Sequence, residues 1–263
     1  MHHLAQVNLA RMIAPLEDPI MADFAAQLDA VNAMADGSEG FVWRLQSDEG
    51  DATAVRVFDD PALLVNMSVW SSAEALLKYV YQSGHGPVLR DRARWFTRMT
   101  EAHMALWWMP EGAPPTVEEA VRRLQFLRAH GETPFAFSFR RRFEAPSPDV
   151  VRLLDGRILR TEVSAPGGDC TASTVFTYRV TRDAVSATYE GGGVRDGRLQ
   201  AEAREGVIAG RYGHVTEAGE ARAGECEAIP ELLADGRLRV HEAWRWTHQP
   251  PHERRYSALI EAA

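Results

Sequence analysis

Residues 65–70 read VNMSVW. Val65, Met67 and Val69 alternate with Asn66, Ser68 and Trp70. On a strand, one face would carry three aliphatic side chains and the other an amide, a hydroxyl and an indole. Bulk water does not call for a tryptophan, and a plain core does not call for an asparagine. What the second face meets therefore decides the fold and the function together.

Working outward, the first half of the chain alternates strands and helices. HLAQVNLA (3–10) is a short alternating strand. Met21, Phe24, Leu28, Val31 and Ala35 then trace one helical face, ended by Gly37 or Gly40. FVWRLQ (41–46) and LLVNMSVW (63–70) are the next strands. SSAE (71–74) predicts a capping box with Ser71 as N-cap and Glu74 as its partner, opening a helix that Gly84 and Gly86-Pro87 interrupt. HMALWW (103–108) is the fourth strand. TVEE (116–119) caps a helix with the stripe Val117, Val121, Leu124 and Leu127 and with Gly131 after it, and FAFSFRRRF (135–143) is a fifth strand. The order β-α-β-β-α-β, with a helix and strand added, is that of a ferredoxin-like unit.

Such a unit covers one sheet face with its helices. The aliphatic sets Ala5, Val7, Leu9 and Val65, Met67, Val69 suit that face. The other face is expected to be bare and to gather Gln6, Asn8, Arg44, Asn66, Ser68, Trp70, His103 and Trp107. For any one of these residues a wet outer strand face is the plainer explanation, since antiparallel sheets often keep one. As a set, amides, hydroxyl, imidazole and indoles have the composition of a ligand pocket.

The whole chain has 263 residues, 45% hydrophobic and 25% charged, with a formal charge of -8. An acidic balance argues against non-specific nucleic-acid binding, which needs a basic footprint. No apolar run approaches the ~18 residues of a membrane-spanning helix, and MHHLAQVNLARM (1–12) has no secretory pattern. Two cysteines make neither a disulfide framework nor a zinc-finger spacing, so the expected compartment is the cytoplasm.

The motifs HLAQVNLA, GFVWRLQ and VNMSVW before a helix, His85 before RARWF, and LWWMP with PPTVEEA occur in that order over about residues 1–143. In this they resemble a bacterial family of unknown function related to the antibiotic-biosynthesis-monooxygenase-like dimeric α/β barrels. The resemblance implies a homodimer in which two sheets pair and each bare face becomes a cavity wall. It also implies a cofactor-independent monooxygenase, isomerase or cyclase acting on a small aromatic or polyketide-like substrate. Asn66, Trp70 and His85 are the catalytic candidates, and Gln6, Asn8, Arg44, Ser68, His103 and Trp107 the substrate-binding ones. Amide and indole donors suit a developing substrate anion. A ligand-binding protein without catalysis, or a haem protein, are the alternatives. Haem needs an axial histidine, from His85 or His103. His85, in SGHGP, equally suits a general acid or base or a plain loop residue.

EAPSPDV (144–150) reads as a linker to a second domain at 150–263. Beyond it lie short strand-like runs, with turns expected at 182–183, 195–197, 217–220 and 235–236, and one helical turn at PELLA (230–234). Regular turns between short strands predict an antiparallel barrel, lipocalin-like. The overall fold class is thus α+β, an α/β-barrel domain followed by an all-β one. GGG (191–193) precedes no helix and no Lys-Ser/Thr, so it is not a phosphate cradle. YEGGGVRDGRL and RLRVHEAWRWT resemble a β-rich bacterial family often labelled N-acetylglutamate synthase. That activity is not carried over, because no strand-to-helix turn is present to hold a pyrophosphate. Tyr189, His241, Glu242, Trp244 and Trp246 are the expected lining of this barrel, with His241 facing away from the other three on its strand.

Overall fold

The computed structural model describes residues 1–46, 60–82, 91–112, 114–247 and 254–262. The chain divides into two compact units, Met1–Phe143 and Glu144–Ala263.

In the first unit, β1 (His2–Met12) is the central strand. β3 (Leu63–Trp70) pairs along one side of it, and β2 (Phe41–Arg44) lies outside β3. On the other side β1 pairs β5 (Met104–Pro110) and, at its end, the two-residue β4 (Phe96–Thr97). All pairings are antiparallel. The order β2-β3-β1-β5 is the one a β-α-β-β-α-β unit gives. The first helical region is broken. A 3-10 turn, Pro19–Met21, capped by the Asp18 carboxylate, leads into α1 (Ala22–Ala25) and α2 (Leu28–Asp36). α3 (Ala73–Gln82) is capped by Ser72, whose Oγ accepts from Ala75 N at 3.1 Å, one residue beyond the expected Ser71. α4 (Val117–His130) starts on Thr116, which accepts from Glu119 N at 3.2 Å, and closes with Gly131 N–H donating to Leu127 O.

The distribution of helices corrects the two-faced expectation. The aliphatic face (Ala5, Val7, Leu9, Val65, Met67, Val69) packs under α4 through Ala120, Leu124 and Leu127. The opposite face is not bare. Leu4, Trp70 and Leu106 pack against Ala73, Leu76, Tyr79 and Val80 of α3. Met12 and Leu64 on the same face meet Met21, Phe24 and Leu28 of the first helical region. Helices thus lie on both sides, because α4 supplies the second layer. The expected fifth strand at 135–143 forms no ladder: it meets β5 at one bridge, Leu106↔Phe137, held by two backbone hydrogen bonds of 2.7 and 2.9 Å, and its other bridges, Thr133↔Ala136 and Ser138↔Arg141, are local. Ala136 enters the α4 core and Phe137 the α3 core. This segment caps a sheet edge where the two cores meet, and its aromatic alternation serves burial rather than a ladder.

The second unit is a closed antiparallel barrel of eight strands: β6 (Ile158–Val163), β7 (Val175–Thr181), β8 (Ala184–Gly191), β9 (Val194–Arg204), β10 (Val207–Thr216), β11 (Ala221–Leu232), β12 (Leu238–Trp246) and β13 (Arg255–Glu261). Each strand pairs with its sequence neighbours, and β13 closes onto β6. Closure removes the unpaired edges that an open sheet would expose. Buried and exposed residues alternate along β8 from Ala184 to Glu190, as period-two patterning requires. The turn expected at 195–197 is not there. That stretch lies inside β9, and the reversal is made by Gly191 (φ 96°) and Gly192 (φ 68°). PELLA (230–234) is not helical either; Pro230, Glu231 and Leu232 end β11 opposite Val240, Arg239 and Leu238. The stretch expected as a linker carries structure. Ser147 caps a short helix, α5 (Pro148–Arg152), and Val151 and Leu154 are buried in the barrel's core cluster.

Candidate functional site

Two groups of polar residues deserve chemical scrutiny, one in each unit.

On the first unit's sheet, register brings together most of the residues singled out by alternation. Asn8 lies opposite Asn66, and Gln6 opposite Ser68, across β1 and β3. Arg44 lies opposite Ser68 from β2. The Trp70 indole donates to Ser68 Oγ at 2.9 Å, and Ser68 Oγ donates to Gln6 Oε1 at 2.8 Å. Trp70 is fully buried, between Phe41 (5.4 Å, edge-on) and Tyr79 (5.0 Å, stacked). Burial pushes the Tyr79 phenol up to about 12, with the Asp36 carboxylate adding to it. Arg44 forms a two-point pair with Asp36, at 2.8 and 3.2 Å. Asn66 is exposed, Asn8 is half-buried, and neither amide is hydrogen-bonded among the described residues.

Two expected members of this face are not on it. Trp107 pairs with Ala5 and is fully buried in the α4 core; its neighbour Trp108 holds the other parity and donates to Phe143 O at 2.7 Å. His103 precedes β5, where its carbonyl accepts from Leu9 N. It shares Leu9's parity, and its ring is exposed, with Nδ1 3.2 Å from Glu101 O. With an indole at 107 and another at 108, alternation alone cannot set the phase of this strand. His85 lies outside the described residues.

The barrel holds the better-defined site. Its cavity leaves about 60 Å³ for the centres of water-sized molecules, several times the ~10–15 Å³ that one water needs. Aromatic walls come from Phe176, Tyr189, Tyr212, Trp244 and Trp246, and polar groups from Thr161, Asp169, His214, Glu242 and Ser257. β12 supplies Glu242, Trp244 and Trp246 at alternate positions, so all three point inward. Tyr189, from β8, stacks on Phe176 at 4.7 Å. Among the residues expected to line the barrel, His241 is the one that does not. It is buried on the other face of β12, with Nδ1 2.8 Å from Tyr256 OH and Nε2 2.9 Å from Glu231.

Hydrogen bonds divide the cavity into satisfied and unsatisfied parts. His214 Nε2 lies 2.9 Å from Asp169 Oδ2, and Nδ1 lies 3.1 Å from Tyr189 OH. Arg222 also donates to Asp169 Oδ2 at 3.1 Å. Trp244 Nε1 donates to Ser257 Oγ at 2.9 Å. Tyr212 OH and Thr161 Oγ1 are buried with no partner. The Glu242 carboxyl also makes no hydrogen bond or ion pair among the described residues. Protein surrounds Glu242, yet part of its surface remains accessible, and that surface lies inside the cavity. Desolvation alone pushes its carboxyl up to about 7. Burial, reinforced by Glu242, raises the Cys170 thiol to about 12 and also raises Cys226, so neither cysteine is a reactive thiolate. Among the described residues, no cluster of three or more His, Cys, Asp or Glu is arranged to hold a metal ion, and no helix is long and apolar enough to cross a membrane.

Asp169, His214 and Tyr212 escaped the sequence reading. Tyr212 and His214 sit on β10 two residues apart, and that period-two spacing is the signal that places them on one face. Asp169 comes from the loop before β7, where no periodicity exists to reveal it.

Comparison with known proteins locates both units. No curated protein matches the chain. Among solved structures, SnoaB, a cofactor-independent oxygenase from Streptomyces nogalater, is 19% identical over 44% of this chain and 98% of its own, with a TM-score of 0.30. A single-residue variant of the same protein gives 19% identity and 0.29. A protein of unknown function from Nitrosomonas europaea gives 11% identity over 44% of this chain and 97% of its own, with a TM-score of 0.30. Residues 152–262 match the family described as avidin-like protein, which replaces the N-acetylglutamate synthase label for this half. Residues 3–153, more than half of the chain, match the family described as domain of unknown function DUF3291, and the chain belongs to that family.

Proposed function

We propose that this protein binds a small organic molecule inside its C-terminal barrel. The observation that carries the reading is a cavity inside the barrel with aromatic walls whose polar groups Glu242, Tyr212 OH and Thr161 Oγ1 have no partner among the described residues. Buried polar atoms are almost always satisfied, so their clustering around one space marks where a ligand's own groups fit. A fragment screen by thermal shift on the full chain tests this. Fragments that stabilise the wild type should lose their effect in Leu199→Trp, which places an indole in the cavity. If no fragment separates the two proteins, the cavity is only an internal void.

A second reading keeps the first unit as an enzyme of the cofactor-independent oxygenase, isomerase or cyclase kind, acting on a small aromatic or polyketide-like substrate. The unpaired amides of Asn8 and Asn66, side by side at the open end of the Gln6–Ser68–Trp70 chain, favour it. In that reading the amides hold a substrate anion, the buried Trp70 supports them from within the core, and His85 is the acid or base. Oxygen uptake with electron-rich phenols should then fall in Asn66→Ala; uptake at the wild-type rate removes Asn66 from the chemistry. A visible spectrum with a Soret band would favour the haem alternative instead. A homodimer through this unit belongs to the same reading, and light scattering should give twice the 29.3 kDa chain mass.

A further inference from the structure

We propose that the ligand of the barrel is a small organic cation, a primary amine on an aromatic or similarly apolar body, with its ammonium group on Glu242 and its body against Tyr212, Trp244 and Trp246. This rests on the ligand-binding reading above and names the chemistry the cavity selects.

The cavity has two carboxylates, and they are in different states. Asp169 is already paired with His214 and Arg222. Glu242 faces the space with no donor among the described residues. A buried carboxylate without a partner is costly, and a ligand cation with N–H donors removes that cost while making charge-assisted hydrogen bonds. The guanidinium groups near the aromatic wall are engaged elsewhere. Arg222, 5.7 Å from the Trp246 ring, is bonded to Asp169 and Glu220, and Arg255, 5.4 Å from the Trp244 ring, donates to Pro166 O.

The walls select in the same direction. Trp244 and Trp246 meet edge to face at 5.1 Å, and Tyr212 lies 5.7 Å from Trp246 and 6.1 Å from Trp244. Aromatic faces grouped around one carboxylate attract a cation and its apolar body together. An anion would meet Glu242 at close range and find Arg222 and Arg255 already engaged. The titratable groups that sense Glu242 are Cys170, Cys226, Tyr178, Tyr189 and Tyr212, all held in their neutral forms by burial. Glu242 is therefore the group whose charge the ligand sets.

The test is calorimetric titration of the full chain with three molecules of matched size: phenethylamine, 2-phenylethanol and phenylacetate. Phenethylamine should bind most tightly and phenylacetate not at all. Glu242→Gln should weaken the amine by about tenfold or more and leave the alcohol nearly unchanged. In the wild type, amine affinity should rise from about pH 6 to about pH 8, with proton release on binding, because the bound cation favours the carboxylate form. This profile needs no variant. Equal binding of alcohol and amine, or no effect of Glu242→Gln, overturns the assignment of a cation while leaving the cavity a ligand site. If none of the three binds at millimolar concentration, the assignment also falls, and the fragment screen with Leu199→Trp decides separately whether the cavity takes any ligand.

Discussion

The Trp70 indole donates its only N–H to Ser68 Oγ at 2.9 Å, and the hydroxyl in turn donates a hydrogen bond to Gln6 Oε1 at 2.8 Å. A residue expected to face a cavity is thus a fully buried anchor whose polar atom is already committed. Its neighbour on the same strand face, Asn66, is exposed and uncommitted. The two ends of VNMSVW therefore separate support from surface chemistry, and point mutations distinguish them.

Ser68→Ala should destabilise the protein by about 1–3 kcal/mol, because it leaves the buried Trp70 N–H without an acceptor. Asn66→Ala should stay within about 0.5 kcal/mol of wild type, as expected of an exposed side chain with no partner. Urea unfolding followed by tryptophan fluorescence measures both. Equal losses in the two variants would mean that Asn66 is structural.

Trp107→Ala should be among the most damaging single changes in the first unit, at about 3–5 kcal/mol. The indole is fully buried among Ala5, Val69, Ala120 and Leu124 of the α4 core. Substrate turnover, if the first unit has any, should fall only as far as the folded fraction falls. A stable Trp107→Ala protein with lost activity would return this residue to the site.

How much of this was legible follows from where periodicity has one solution. Asn8, Asn66, Gln6 and Ser68 share a face because β1 and β3 carry one unambiguous alternation, and Arg44 joins them opposite Ser68 although β2 shifts register between Phe41 and Trp43. β5 carries apolar residues at both parities, since both its faces are covered, and only pairing with β1 fixes which indole goes where. Which face the helices choose was likewise hidden, because α4 adds a second layer that no strand records. In the barrel, Glu242, Trp244 and Trp246 were readable as one face. That Glu242 has no partner was not, since this depends on seven other strands.

Gly197 shows how a local signal misleads. RDG (195–197) reads as a turn, yet Gly197 lies within β9, opposite Tyr189 on β8. A Cβ there would sit 2.3 Å from Tyr189 Cε2, so the glycine makes room for the ring that stacks on Phe176. Gly197→Ala should displace Tyr189 and cost about 1–3 kcal/mol from the overpacking alone. It should also alter ligand binding in the barrel, since Tyr189 lines the cavity. A wild-type melting temperature and wild-type binding would show that the ring has room to move.

Glu242 should make stability depend on pH in a direction opposite to that of most carboxylates. Its carboxyl is raised from 4.5 to about 7 by burial. The native state therefore holds a proton that the unfolded chain has already released in this window. The associated stability is fully present below about pH 4.5 and is lost as pH rises through about 7. A shift of that size corresponds to roughly 3 kcal/mol at ~1.4 kcal/mol per unit. Glu242→Gln keeps the neutral form at every pH, so it should match the wild type near pH 4 and exceed it by an amount of that order near pH 8. Denaturant midpoints of both proteins across this range measure the difference. Parallel curves would mean that Glu242 is already ionised in the folded barrel at neutral pH, and a cationic ligand would then bind with no release of a proton.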